Sequence, residues 1–221
     1  TLYLPARFTN VRKMFNKDKI KISMAGIVAK EKGIDFFLDI CENLRAKYSS
    51  KVKFSIFGYN FADTINLYES RLKDLDFEII TDLDDYNWNK KLLETNILIN
   101  YRENYKGESS KTCIESMMFG AIPIVRDIGW YSELPDGTAI KLKSTEEITS
   151  AVIDLIQNPK KMESMSQNCM KYAKEISDHS KFMVAFENIL DLSAKNINNP
   201  NLGISQLIRR TNCLKEIDKD S

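Results

Sequence analysis

A chain of 221 residues, 43% of them hydrophobic, is long enough for one α/β domain with a substantial core and short for two full domains. Its 32 lysines and arginines against 31 aspartates and glutamates leave a formal charge of +1, which argues against the basic face that a sequence-independent nucleic-acid binder needs. Cys41, Cys113, Cys169 and Cys213 form no Cys-x-x-Cys pair, no apolar run reaches bilayer length and no signal-peptide pattern is seen, so a cytoplasmic chain with reduced thiols and no bound metal is expected.

The chain starts at Thr1, and residues 1–19 carry Pro5, a short helical pattern with Val11 and Phe15, and a charged run. They read as a connector, so a piece of a longer protein is expected. Residues 20–25 alternate and close on Gly26 as a first strand; Lys32-Gly33 then precedes the period Ile34, Phe37, Leu38, Cys41, Leu44 of a helix. Strand, glycine loop and helix start together are compatible with a phosphate. Residues 51–57 alternate and end at Gly58, residues 63–75 read as one amphipathic helix through Ile65, Leu67, Tyr68 and Leu72, and residues 77–80 give a third strand. Thr81, Asp82 and Leu83 open a polar loop. Its aspartates, Asp82, Asp84 and Asp85, read as a solvated turn and helix-start charge in preference to a cation site, ahead of a helical pattern from Trp88 to Leu93.

The central stretch runs from Asn96 to Val125. An apolar strand at Ile97 to Ile99 passes into a polar loop with Gly107, Glu108, Ser109 and Ser110, then a helix from Lys111 to Phe119, a stop at Gly120, and a second β-branched run at Ile122 to Val125. A helix start presents unpaired amides and the positive end of the helix dipole, and Ser109, Ser110 and Thr112 add hydroxyls; this is a seat for phosphate. Glu108 and Glu115 repel phosphate but accept hydrogen bonds from sugar hydroxyls. Phosphate plus sugar points to a nucleotide sugar.

Further along, residues 138–142 form a short strand, and Ser144 to Glu147 carries a capping signal for a helix with Ile148, Val152, Leu155 and Ile156. Asn158-Pro159 separates it from a helix over residues 160–176, whose Met162, Met165 and Met170 read as core filling. The lone histidine, His179, sits in a break before a last helix over residues 182–192 and reads as a surface or capping residue. No Gly-x-Gly-x-x-Gly or Walker-type loop occurs. The alternation predicts a Rossmann-like doubly wound parallel sheet of five or six strands with extra C-terminal helices and the ligand at the carboxyl ends of the strands.

Gly107-Glu-Ser-Ser110, Glu115-Ser-Met-Met-Phe-Gly-Ala-Ile-Pro-Ile-Val125 and Gly129-Trp-Tyr-Ser-Glu-Leu-Pro-Asp136 resemble the donor-binding domain of retaining GT-B glycosyltransferases of family 4, the glycosyl transferases group 1. The resemblance implies one half of a GT-B fold: an interdomain linker at residues 1–18, a nucleotide-sugar-binding domain at 19–178, a crossing helix at 179–195 and a polar tail at 196–221. It implies a hexosyltransferase-like enzyme of polysaccharide biosynthesis, with a nucleoside-diphosphate sugar as substrate, no metal and no other cofactor, and the acceptor held mainly by an N-terminal domain of the same protein. Peripheral membrane association of the full-length protein stays open. Gly26 and Lys32 match the family spacing for the diphosphate, Lys32 and Glu108 are the catalytic candidates, Glu115 is the ribose anchor, and Thr81, Asp82 and Leu83 form the nucleobase loop. Two departures stand out: the glutamates are seven apart where the family usually has eight, and Ile27 occupies the place of an arginine found in many members. A solvated loop lysine at Lys32 and a helix cap at Glu108 are the plainer alternatives. For the whole, a GT-B-like nucleotide-sugar epimerase and a non-catalytic nucleotide-binding module stay open.

Overall fold

In the computed structural model, which describes residues 19–102, 109–144, 146–177, 183–184 and 186–188, strands and helices alternate along the chain. β1 (Ile20–Val28) leads through a 3-10 turn at Lys30–Lys32 into α1 (Ile34–Tyr48), and β2 (Val52–Asn60) into a 3-10 turn at Phe61–Asp63, α2 (Thr64–Leu67) and α3 (Glu69–Asp74). Next come β3 (Glu78–Thr81), α4 (Asp85–Glu94), β4 (Ile97–Asn100), α5 (Lys111–Met118) and β5 (Ile122–Arg126). A 3-10 turn at Gly129–Glu133, β6 (Ile140–Leu142), α6 (Glu146–Gln157) and α7 (Pro159–Ile176) complete the series. These elements form one unit up to Lys174, and the helical residues 183–184 and 186–188 belong to a second.

The six strands form one parallel sheet in the order β3-β2-β1-β4-β5-β6. The expected Rossmann-like sheet is therefore present. Chain progress reverses between β1 and β4, and at such a switch point the loops leaving the two strand ends diverge and open a crevice. The central strands β4 and β5 are buried almost throughout because helices cover both faces. Ile22, Ile56, Ile97, Leu98 and Ile124 are fully buried, and α1 turns Ile34, Phe37, Leu38, Cys41 and Leu44 inward at helical spacing. The Ser166 hydroxyl of α7 donates to the Gly120 carbonyl at 2.6 Å and the Cys169 thiol to that of Thr138 at 2.9 Å, fixing this helix to the loops beside β5 and β6. Cys41, Cys113 and Cys169 are buried free thiols, and burial pushes the Cys41 and Cys113 thiols up; Cys213 lies outside the described residues.

Several expected boundaries shift. Gly26 and Gly58 do not end their strands: they pair with each other in register, and β1 and β2 continue two residues further to Val28 and Asn60. The glycines mark a close backbone approach, since a Cβ on Gly58 would collide with the Gly26 carbonyl oxygen. The single helix expected over residues 63–75 is broken at Tyr68, where φ is −113° and ψ is 13°. Ile65 and Leu72 are buried but Leu67 is 79% exposed, so the apolar face was narrower than its pattern suggested. The capping signal at Ser144 holds in one half: the Glu147 carboxylate accepts from the Lys143 and Ser144 amides at 3.2 and 3.3 Å.

At the amino-terminal edge, Lys21 reaches Glu78 and Glu94 at 2.7 and 2.8 Å, and Lys91 reaches the same pair at 2.5 and 3.0 Å. Burial pushes both carboxyls up, but hydrogen bonds and charge from the two lysines outweigh it and hold them below the ordinary glutamate value. A carboxyl with a depressed folded pKa contributes stability that is complete above the unfolded value, about 4.3, and disappears as pH falls through the folded one. The melting temperature should therefore drop on acidification below about pH 4.3, and a Glu78→Gln, Glu94→Gln double variant should show a shallower acid limb. Identical acid limbs in thermal melts of the two proteins would remove this network as a source of the pH dependence.

Candidate functional site

The crevice at the switch point is built from the loops after β1 and β4. On the β1 side, a Cβ at Gly33 would collide with the Tyr101 carbonyl oxygen, so only glycine, here at φ 87°, lets the turn carrying Lys32 lie against the segment leaving β4. Gly26 faces the first turn of α5, and a Cβ there would come within 2.9 Å of the Thr112 hydroxyl oxygen. On the β4 side, the Ser110 hydroxyl oxygen caps α5 by accepting from the Cys113 amide at 3.3 Å, and it accepts from the Asn100 amide group at 2.9 Å. Ser110 is only 2% exposed, so its hydroxyl serves the helix start. The Arg102 guanidinium lies at 3.4 Å from both the Ser110 hydroxyl and the Asn100 side-chain carbonyl. Lys32, Arg102 and Thr112 line one small hollow of about 90 Å³.

A wider hollow of about 420 Å³ adjoins it, lined by Gly26, Gly58, Asp82, Leu83, Trp88 and Thr112 among others. Thr81 ends β3 opposite Gly58, and Asp82, with φ 56°, donates its amide to the Gly58 carbonyl at 3.3 Å. The Asp84 carboxylate caps α4 by accepting from the Asn87 amide at 2.8 Å, so helix-start charge is the role the structure gives it. Among the described residues, no cluster of three or more His, Cys, Asp or Glu is arranged to hold a metal. Glu115, on α5, accepts from the Trp88 indole N–H at 3.2 Å and lies 3.4 Å from the Lys111 ammonium. Trp88 itself packs edge-on against Phe57, with ring centroids 5.3 Å apart.

The fold thus gathers Gly26, Lys32, Ser110, Thr112, Thr81, Asp82 and Leu83 at one edge of the sheet, with Ser109 just ahead of α5 and Glu115 one turn into it. Gly107, Glu108 and His179 lie outside the described residues. The sequence reading passed over Arg102 and Trp88. A cation two residues beyond an apolar strand was a usable signal for Arg102; nothing local announced that Trp88 would meet a glutamate 27 residues away. Hollows of about 440 and 460 Å³ also occur, one beside Lys21, Arg45 and Lys53 and one between α1 and α6. Neither lies where strand carboxyl ends open a crevice, so volume alone does not select the site.

A parallel sheet in this order, with a glycine-bordered, cation-lined crevice at its switch point, places the chain in the Rossmann-like class. More narrowly, residues 7–172 match the glycosyl transferases group 1, and the chain belongs to that family. No curated protein matches it. Among solved structures, HepE from Anabaena in complex with UDP-glucose is similar with a TM-score of 0.66 and 12% identity, over 78% of this chain and 49% of that one. TarM from S. aureus, in a complex that includes UDP, is similar with a TM-score of 0.69 and 16% identity, over 83% of this chain and 38% of that one. The C-terminal domain of LpcC, a glycosyl transferase group 1 family protein from Francisella tularensis, gives a TM-score of 0.59 and 18% identity, over 71% of this chain and 85% of that domain. The chain therefore spans about half the length of HepE and most of the isolated LpcC domain. The half of a GT-B fold expected from the motifs is what it forms. No helix among the described residues is long and apolar enough to cross a membrane.

Proposed function

We propose that this chain is the donor-binding part of a glycosyltransferase, holding a nucleoside-diphosphate sugar for retaining transfer to an acceptor held mainly by an N-terminal domain of a longer protein. The observation that carries the reading is the convergence of Lys32, Thr112 and the start of α5 on one hollow at the switch point. The diphosphate occupies that hollow, the base enters the wider one beside Asp82 and Leu83, and Glu115 accepts from the ribose hydroxyls. As the glycosidic bond breaks, negative charge grows on the departing diphosphate. Lys32 and the α5 amides meet that charge from fixed positions, and this lowers the barrier because the interaction is stronger in the transition state than before it. HepE in complex with UDP-glucose, on a like fold, supports a nucleotide sugar as the ligand. Three buried free thiols support a cytoplasmic setting.

Calorimetry with UDP, GDP and ADP tests the reading. One of the three should bind, and Lys32→Ala should weaken it by about 1–3 kcal/mol, the scale of a charge-assisted hydrogen bond. Binding of none by the wild-type chain would refute the donor site, and unchanged affinity in the variant would remove Lys32 from it.

A further inference from the structure

We propose that Arg102 supplies the second cation of the diphosphate seat, from the end of β4 instead of from the position after Gly26. The inference rests on the donor-binding reading above and names a ligand-contacting residue within it. The position after Gly26 is Ile27, which is 49% exposed beside the crevice and brings no charge to it. Across the switch point, Arg102 lies two residues beyond β4 and lines the same hollow as Lys32 and Thr112. Its guanidinium is tethered on two sides by long contacts: Nη2 lies 3.4 Å from the Ser110 hydroxyl oxygen and Nε 3.4 Å from the Asn100 side-chain oxygen Oδ1. Asn100 and Ser110 are both buried and joined by a 2.9 Å hydrogen bond, so the tether has a rigid base.

The chemistry agrees with a phosphate group. Two cationic side chains and the Thr112 hydroxyl line the one hollow. The arginine fork stays charged at any working pH and can give two parallel hydrogen bonds to phosphate oxygens, whereas Lys32 acts as a point charge. The close backbone contact of Gly33 with Tyr101 brings the two cation-bearing segments together one residue away from each cation.

Calorimetry on the whole chain compares wild type, Arg102→Gln and Arg102→Lys with UDP, GDP, ADP, the matching nucleosides and inorganic pyrophosphate. Arg102→Gln should lower affinity for the bound nucleoside diphosphate and for pyrophosphate by about 10–100-fold, leave the nucleoside unaffected and flatten the salt dependence. Arg102→Lys should recover part of the loss. Undiminished pyrophosphate affinity in Arg102→Gln overturns the proposal. So do equal losses for nucleoside and diphosphate accompanied by a lower melting temperature, the signature of a residue that only braces Ser110. A wild-type chain that binds neither pyrophosphate nor any of the three diphosphates takes down the donor-binding reading and this inference together, whereas wild-type binding that Arg102→Gln retains sinks the inference alone.

Discussion

Gly58→Ala is expected to lower the melting temperature by roughly 6–12 °C, the equivalent of about 3 kcal/mol for a chain of this size, and to abolish nucleotide binding with it. The reason lies in backbone geometry. Gly58 has φ 134°, and the Cβ of an alanine there would run into the carbonyl oxygen of Gly26, its register partner on β1. Both colliding atoms belong to central strands of a parallel sheet, so no side chain can swing aside and the strands themselves must part. Gly26 in turn abuts Thr112, and strand separation there would widen the crevice. Gly137→Ala provides the comparison: its φ is also positive, at 78°, but the new Cβ would meet only the end of the Asn168 side chain at 3.2 Å. Scanning fluorimetry should separate the two variants clearly. A Gly58→Ala protein melting within about 2 °C of wild type would mean that the strands give way more easily than close packing allows.

The same pair of glycines shows why part of the fold was legible in the sequence and part was not. Alternating apolar runs and helical periods mark elements because burial is set locally, and those signals place β1, α1, β4, α5 and β5 near their observed positions. A glycine in a strand pattern is ambiguous from sequence alone, since a stop and a close approach use the same residue. Deciding between them requires the partner strand, and the register of Gly26 with Gly58 is a long-range fact. The site divides in the same way. Gly26, Lys32, Ser110 and Thr112 were legible as candidates because the proposed phosphate seat is a local construction of strand, loop and helix start. Arg102 becomes meaningful only when Gly33 is seen against Tyr101, and Trp88 only when α4 is seen against α5. Ser110 was legible as a hydroxyl at the right place, but its burial and its use as a cap depend on Asn100 behind it.

Glu115→Gln is expected to weaken nucleoside diphosphate binding by about 2–4 kcal/mol while leaving inorganic pyrophosphate binding nearly unchanged, because a carboxylate that accepts from two ribose hydroxyls has no counterpart in a ligand without ribose. The carboxylate is held in place before ligand arrives. One oxygen accepts from the Trp88 indole at 3.2 Å, the other lies 3.4 Å from the Lys111 ammonium, and only 19% of the side chain is exposed. Each oxygen keeps a second lone pair for a hydroxyl. Trp88 positions this acceptor and also lines the wider hollow, so it joins the proposed ribose anchor to the proposed base pocket. Trp88→Phe keeps an aromatic ring near Phe57 while losing the indole N–H and part of the ring surface. It should therefore cost less than Glu115→Gln, about 1 kcal/mol for the nucleoside diphosphate, and again nothing for pyrophosphate. The pairing of ligands distinguishes orientation from folding, since a variant that merely loosens α4 or α5 would weaken pyrophosphate as well. Parallel losses for both ligands in Glu115→Gln would take Glu115 out of the ribose site and return it to the surface chemistry of α5.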